Sequence, residues 1–131
     1  MIREDVVAKL VATGKWSEGT ARLAERAGYK CEYCGFDLLA SVEAYKQFEV
    51  DHIVPLSRKG DPLAFDNLAL SCRHCNFHLK RSWNPRETAG DGASRERLIA
   101  AVKSYIDELR IRRSDDLEQV RSIVGWVRAE D

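Results

Sequence analysis

The sequence predicts an α+β fold: helices at both ends and a strand-bearing, cysteine-rich middle. Three observations predict it. Apolar residues recur at helical spacing near both termini. The middle holds "QFEVDHIVPL", a mostly strand-like apolar run. All four cysteines fall in two C-x-x-C pairs there, at a spacing suited to a metal staple. A chain of 131 residues makes about one domain, and a domain of this size gains from such a staple.

Taken in order, Val6, Val7, Leu10 and Val11 predict a first short helix ending near Gly14. Ser17 is placed to cap a second, running through Ala21, Leu23, Ala24 and Ala27 to Gly28. Residues 29–83 form the core block, with every cysteine and all three histidines. Residues 84–94, "NPRETAGDGAS", read as a loop. From 95 to 131 two helices are expected, packing on the core. Leu98, Ile99, Val102, Ile106 and Leu109 stripe the first. Asp115 and Glu118 resemble a capping pair opening the second, with Leu117, Val120, Ile123, Val124 and Val127 on its apolar side. These stripes could instead serve a homodimer or docking to another protein.

Net charge is zero, with 21 basic and 21 acidic residues, so no global field draws the chain to polyanions. The N-terminus "MIREDVVAKLVATGKW" meets acids too early for a signal peptide. No apolar run approaches the ~20 residues that span a bilayer. The expectation is an intracellular, cytoplasmic protein without a membrane partner.

Cys31 and Cys34 in "YKCEYCGFD" and Cys72 and Cys75 in "LSCRHCNFH" are separated by 37 residues. A two-residue gap lets both thiolates of a knuckle turn toward one ion, and Gly35 supplies backbone freedom after the first pair. Four thiolates close a tetrahedral structural Zn²⁺ site with no open position. Disulfides are disfavoured in a reducing compartment, and a redox C-x-x-C is disfavoured because the pair occurs twice.

Asp51 and His52 fall within the loop that the cysteines close. Asn67 follows in "FDNLAL", and Asn76 directly follows Cys75. "CEYCG … VDHIVPLSRKG … DNLALSCRHCNFHLK" resembles the HNH endonuclease family, zinc-stapled ββα-metal nucleases, over about residues 29–83. The resemblance implies a strand carrying "EVDHIV", an antiparallel partner near "NLALS" and a helix from about Arg73 to Ser82. It further implies a divalent-metal-dependent DNA endonuclease leaving 5′-phosphate and 3′-hydroxyl ends.

The chemistry can be argued beside it. Phosphodiester hydrolysis needs a base for water and a Lewis acid at the leaving oxygen. His52 is the side chain suited to take a proton near neutrality. Mg²⁺ or Mn²⁺ accepts oxygen ligands, which Asp51 and Asn76 can supply. By resemblance those two are the catalytic-ion ligands, and Asn67 ties down the loop that holds the His52 segment. His78 is a rival for the place of Asn76, and His74 is read as a surface residue or phosphate contact. Strand alternation sends Asp51 and His52 to opposite faces, which suits a base and an ion flanking one phosphate. Phe48, Val50 and Val54 are expected to share the face of His52 and half-desolvate it.

Between Ser71 and Arg86 there is no acid. Arg73, Lys80 and Arg81 recur at near-helical spacing there, and with Arg58 and Lys59 of "SRKGD" they predict a phosphate-tracking surface. DNA is the expected partner, RNA an open alternative, with weak sequence specificity and nicking as the default. The competing reading is a non-catalytic zinc module that binds nucleic acid or protein.

Overall fold

The computed structural model describes residues 1–56 and 64–129; Arg58 and Lys59 lie outside the described residues. Helices α1 (Glu4–Ala12) and α2 (Glu18–Ala27) pack against each other at the N-terminus. Ser17 Oγ accepts the Thr20 amide at 3.1 Å, the cap its residue type predicts. α2 ends at Gly28 with φ 65°, a left-handed conformation glycine adopts without a Cβ clash. Glu25, buried on α2, takes Arg3 Nη2 at 2.8 Å and the Tyr29 hydroxyl at 2.6 Å. Hydrogen bonds from Arg3, then Tyr29, hold its carboxyl down at about 2.

The first cysteine pair sits in a tight turn closed by the Lys30–Asp37 bridge. Gly35, φ 80°, returns its amide to the Cys31 carbonyl at 2.8 Å. Glu32 fastens this turn to the sheet: its amide donates to the Leu70 carbonyl at 2.9 Å, and its carboxylate accepts the Leu70 amide at 2.7 Å. After the single turn α3 (Val42–Tyr45), β1 (Phe48–His52) pairs antiparallel with β2 (Leu68–Cys72), placing Asp51 opposite Ala69 and His52 opposite Leu68. Two strands alone are marginal in water. This pair is held by Leu23, Leu38, Ile53, Leu79 and Ile106, which with Leu70 of β2 belong to one buried cluster.

A helix follows over His74–Lys80, wound in the wider π form; its closing bond runs from the Arg81 amide to the Asn76 carbonyl at 2.8 Å. After a short turn α4 (Arg86–Ala89), α5 spans Arg95–Val124, from the Ser94 cap to Gly125 in the left-handed region. The two C-terminal helices expected from the sequence are therefore one. Neither Pro nor Gly interrupts residues 95–124, so nothing stops the helix before Asp115, and Ser114 onward simply continues it. Leu98, Val102 and Ile106 are buried against the core. Leu117, Val120, Ile123, Val124 and Val127, expected on the apolar side of a core-packed helix, are exposed; at about 1.5 Å per residue, α5 is far longer than the core it crosses. Among the described residues no helix is long and apolar enough to cross a membrane.

Candidate functional site

The turn at residues 30–37 and the β2–helix junction bring the four cysteines together. Their sulfurs all lie within 4.8 Å of one another, and Cys34 Sγ stands 3.8 Å from Cys72 Sγ. Four sulfurs at ~2.3 Å from one tetrahedral ion would stand about 3.8 Å apart, so the donor set and spacing fit a metal ion. The Cys75 amide points at Cys72 Sγ, 3.4 Å, the hydrogen bond of a knuckle turn. Arg110 reaches from α5 to donate to Cys75 Sγ at 3.2 Å. A four-thiolate site on a divalent ion carries excess negative charge, and a guanidinium beside it offsets part of that.

Asp51 lies at the inner face of β1 and is 7 % exposed. Its Oδ2 accepts the Tyr33 hydroxyl at 2.6 Å and pairs with Lys80 Nζ at 3.1 Å. The same ammonium donates to the His52 carbonyl at 3.1 Å. One buried cation thus holds both the carboxylate and the backbone of the Asp-His pair. Burial raises the Asp51 carboxyl above its ordinary range, against the pull of Lys80 and Tyr33. Burial likewise lowers the Lys80 ammonium, opposed by Asp51. Tyr33 is pushed well up by burial and by the neighbouring Asp51 charge, so it stays a donor.

Two residues earlier on β1, on the same face by strand alternation, Glu49 Oε2 accepts Asn76 Nδ2 at 2.8 Å. Arg73 reaches its other oxygen at 3.3 Å. Two links, Glu49–Asn76 and Asp51–Lys80, therefore lock the strand to the helix, two residues apart on the strand and four apart on the helix. Asn67 closes the loop after β1: its Oδ1 accepts the Val54 amide at 2.9 Å and its Nδ2 donates to the Val54 carbonyl at 3.0 Å. The Asn67 carbonyl also accepts the Ile53 amide at 2.8 Å. Backbone from His52 onward is thereby fixed, by Lys80 at the His52 carbonyl and by Asn67 at Ile53 and Val54. The imidazole itself is half-buried.

Several sequence expectations change here. Lys80 does not belong to a phosphate-tracking surface: it is 1 % exposed and ion-paired inside. Seven residues after Arg73, it would share that residue's face at 3.6 residues per turn. The wider winding of His74–Lys80 breaks that repeat, leaving Arg73 outside and Lys80 within. Arg73 and Arg81 are exposed. Asp51 and Asn76 are each steadied by a protein group, Lys80 with Tyr33 for one and Glu49 for the other. Val54, expected beside His52 on a strand face, lies past the end of β1 and is buried, whereas Val50 is exposed. His74 and His78 are exposed, their rings 5.6 Å apart. Sequence reasoning did not single out Tyr33 or Glu49. Glu49 had a signal in its two-residue spacing from Asp51, and Tyr33 in its place inside the first knuckle.

Residues 31–82 match the family model described as HNH endonuclease. A CRISPR-associated endonuclease Cas9 from Corynebacterium diphtheriae is similar at 23 % identity over 104 residues, covering 76 % of this chain and 9 % of that protein. The chain thus spans a small fraction of that relative's length. No solved structure matches it.

Proposed function

With an HNH endonuclease segment over residues 31–82 as the premise, we propose that the chain is a divalent-metal-dependent DNA endonuclease with a structural zinc in its cysteine tetrad. The observation that carries this reading is the double lock between β1 and the following helix. It sets the candidate base and the candidate oxygen ligands in one rigid frame, as positioning for in-line hydrolysis requires.

His52 accepts the proton of the attacking water. Its backbone is immobilised from Lys80 and Asn67, so the ring's direction is set by χ rotation alone. Asp51 and Asn76 are the residues that would hold Mg²⁺ or Mn²⁺, which would supply Lewis-acid stabilisation of the departing oxygen. The donor chemistry fits. Asp51 keeps for an ion the oxygen not engaged by Lys80 and Tyr33. Asn76 spends its Nδ2 on Glu49, which turns the amide oxygen away from that carboxylate. Glu49 is accordingly an orienting group for Asn76. Arg73 and Arg81 line the approach for backbone phosphates.

The test is plasmid nicking with Mg²⁺ or Mn²⁺. His52→Ala should lose roughly 10²–10⁴-fold in rate, the usual worth of a general base, with circular dichroism and zinc content retained. A His52→Ala protein that cuts like the parent ends the assignment of the base. No nicking by the parent on plasmid or single-stranded circles, with either ion, favours the non-catalytic zinc module.

A further inference from the structure

The outer face of the His74–Lys80 helix carries an aromatic ring the hydrolytic site does not use. Phe77, next to Asn76, is 58 % exposed. The Arg73 guanidinium lies 4.8 Å from its ring centroid, and the His78 ring meets it edge-on at 5.0 Å. A groove of about 440 Å³ runs from Asn76 along Phe77 and His78 to Arg81 and Arg113, a volume typical of pockets that take small ligands. Arg113 reaches across from α5 to the His78 carbonyl, 3.0 Å, so two elements fix its walls. None of the lining residues is acidic.

A lone exposed Phe needs no explanation. Here the ring sits among guanidinium and imidazole groups, in a chain with no net charge, and adjoins a residue proposed to stand at the scissile phosphate. Cations select a polyanion, and an aromatic face among them selects a planar base. In an intact duplex the bases are stacked on each other and offer no free face. The geometry points to an unpaired nucleotide as the occupant: Phe77 is a stacking platform, flanked by Arg73, Arg81 and Arg113, that favours single-stranded or branched DNA over continuous duplex. This deepens the nuclease reading and rests on it for the placement of the phosphate at Asn76.

The experiment uses the full chain with its cysteine-bound metal, in buffer without Mg²⁺ or Mn²⁺. Fluorescence anisotropy gives affinities for a labelled oligothymidylate and for a blunt duplex of equal length. The parent should prefer the single strand. Phe77→Ala should weaken single-strand binding roughly 5- to 100-fold, the range expected for losing one stacked base, and change duplex binding less than about twofold. Phe77→Trp should restore single-strand affinity. Equal losses on both DNAs, no loss on either, or no binding by the parent would each overturn the platform. Nicking by the parent with Mg²⁺ is scored separately. A Phe77-dependent single-strand preference without nicking sinks the nuclease reading alone, and nicking with Phe77-independent binding sinks the platform alone.

Discussion

Replacing Lys80 by Met keeps most of the buried stem and deletes the charge that pairs with Asp51. The ammonium is fully enclosed, and its partner oxygen lies 3.1 Å away with little solvent access. Leaving one charge of a buried pair uncompensated costs about 3–5 kcal/mol, a large share of the ~5–15 kcal/mol that holds an ordinary domain. For a chain of this length the loss corresponds to roughly 10–20 °C in melting temperature. The pH dependence separates charge from packing. Burial already raises the Asp51 carboxyl, and Lys80 is the largest opposing influence; its removal lets that carboxyl rise further. A group whose folded value exceeds its unfolded value stabilises most below the unfolded value and loses that contribution as pH rises. Lys80→Met should therefore be least damaging near pH 4 and most damaging above neutrality. Adding Asp51→Asn should recover much of the loss, because the double variant buries no unpaired charge. Urea unfolding of the parent, Lys80→Met, Asp51→Asn and the double variant at pH 4.5 and 8 measures this directly. A single variant within about 1 kcal/mol of the parent at pH 8, or one equally weakened at both pH values, would refute the buried-pair account.

The tetrad and the N-terminal clamp give two further outcomes. Cys72→Ser should release bound metal and unfold the core block, since four-thiolate binding energy is folding energy; a folded variant found metal-free by mass spectrometry contradicts the staple. Glu25 sits at about 2 against an ordinary 4.5, so its contribution is complete above pH 4.5 and drains away as pH falls toward 2. Glu25→Gln should flatten the stability profile across that window and lower the plateau above it, and an acid limb identical to the parent's would exclude the clamp as its source.

What the sequence made legible was local. Ser17 and Gly28 bounded α2 because a cap depends on a few adjacent residues. The two cysteine pairs were readable because each knuckle folds within its own turn. β1 was readable from the apolar residues around Asp51. Asp115 and Glu118 misled because a capping pair is compatible with a helix start without requiring one. In α5 the preceding turn was already helical, and no breaker separated it from what followed.

Lys80 was misread for a different reason, and it bears on how the site is built. A basic run of Arg73, Lys80 and Arg81 looks like one surface under a 3.6-residue repeat, and only the winding of the helix sorts its members. In the wider turn, Asn76 and Lys80 both face β1 while Arg73 and Phe77 stay outside. The helix thereby presents an inner pair that grips Glu49 and Asp51 and an outer pair, Arg73 and Phe77, proposed to meet a nucleotide, with Arg73 also reaching Glu49 at 3.3 Å. Cys75 ties the first turn of that helix to the tetrad and Lys80 ties its end to the His52 carbonyl, so losing an ion from the tetrad would free one end of the helix. Through those two attachments, an ion in the cysteine site would be coupled to the register at the candidate active site. A structural ion that touches no substrate would then still govern the rate of cleavage.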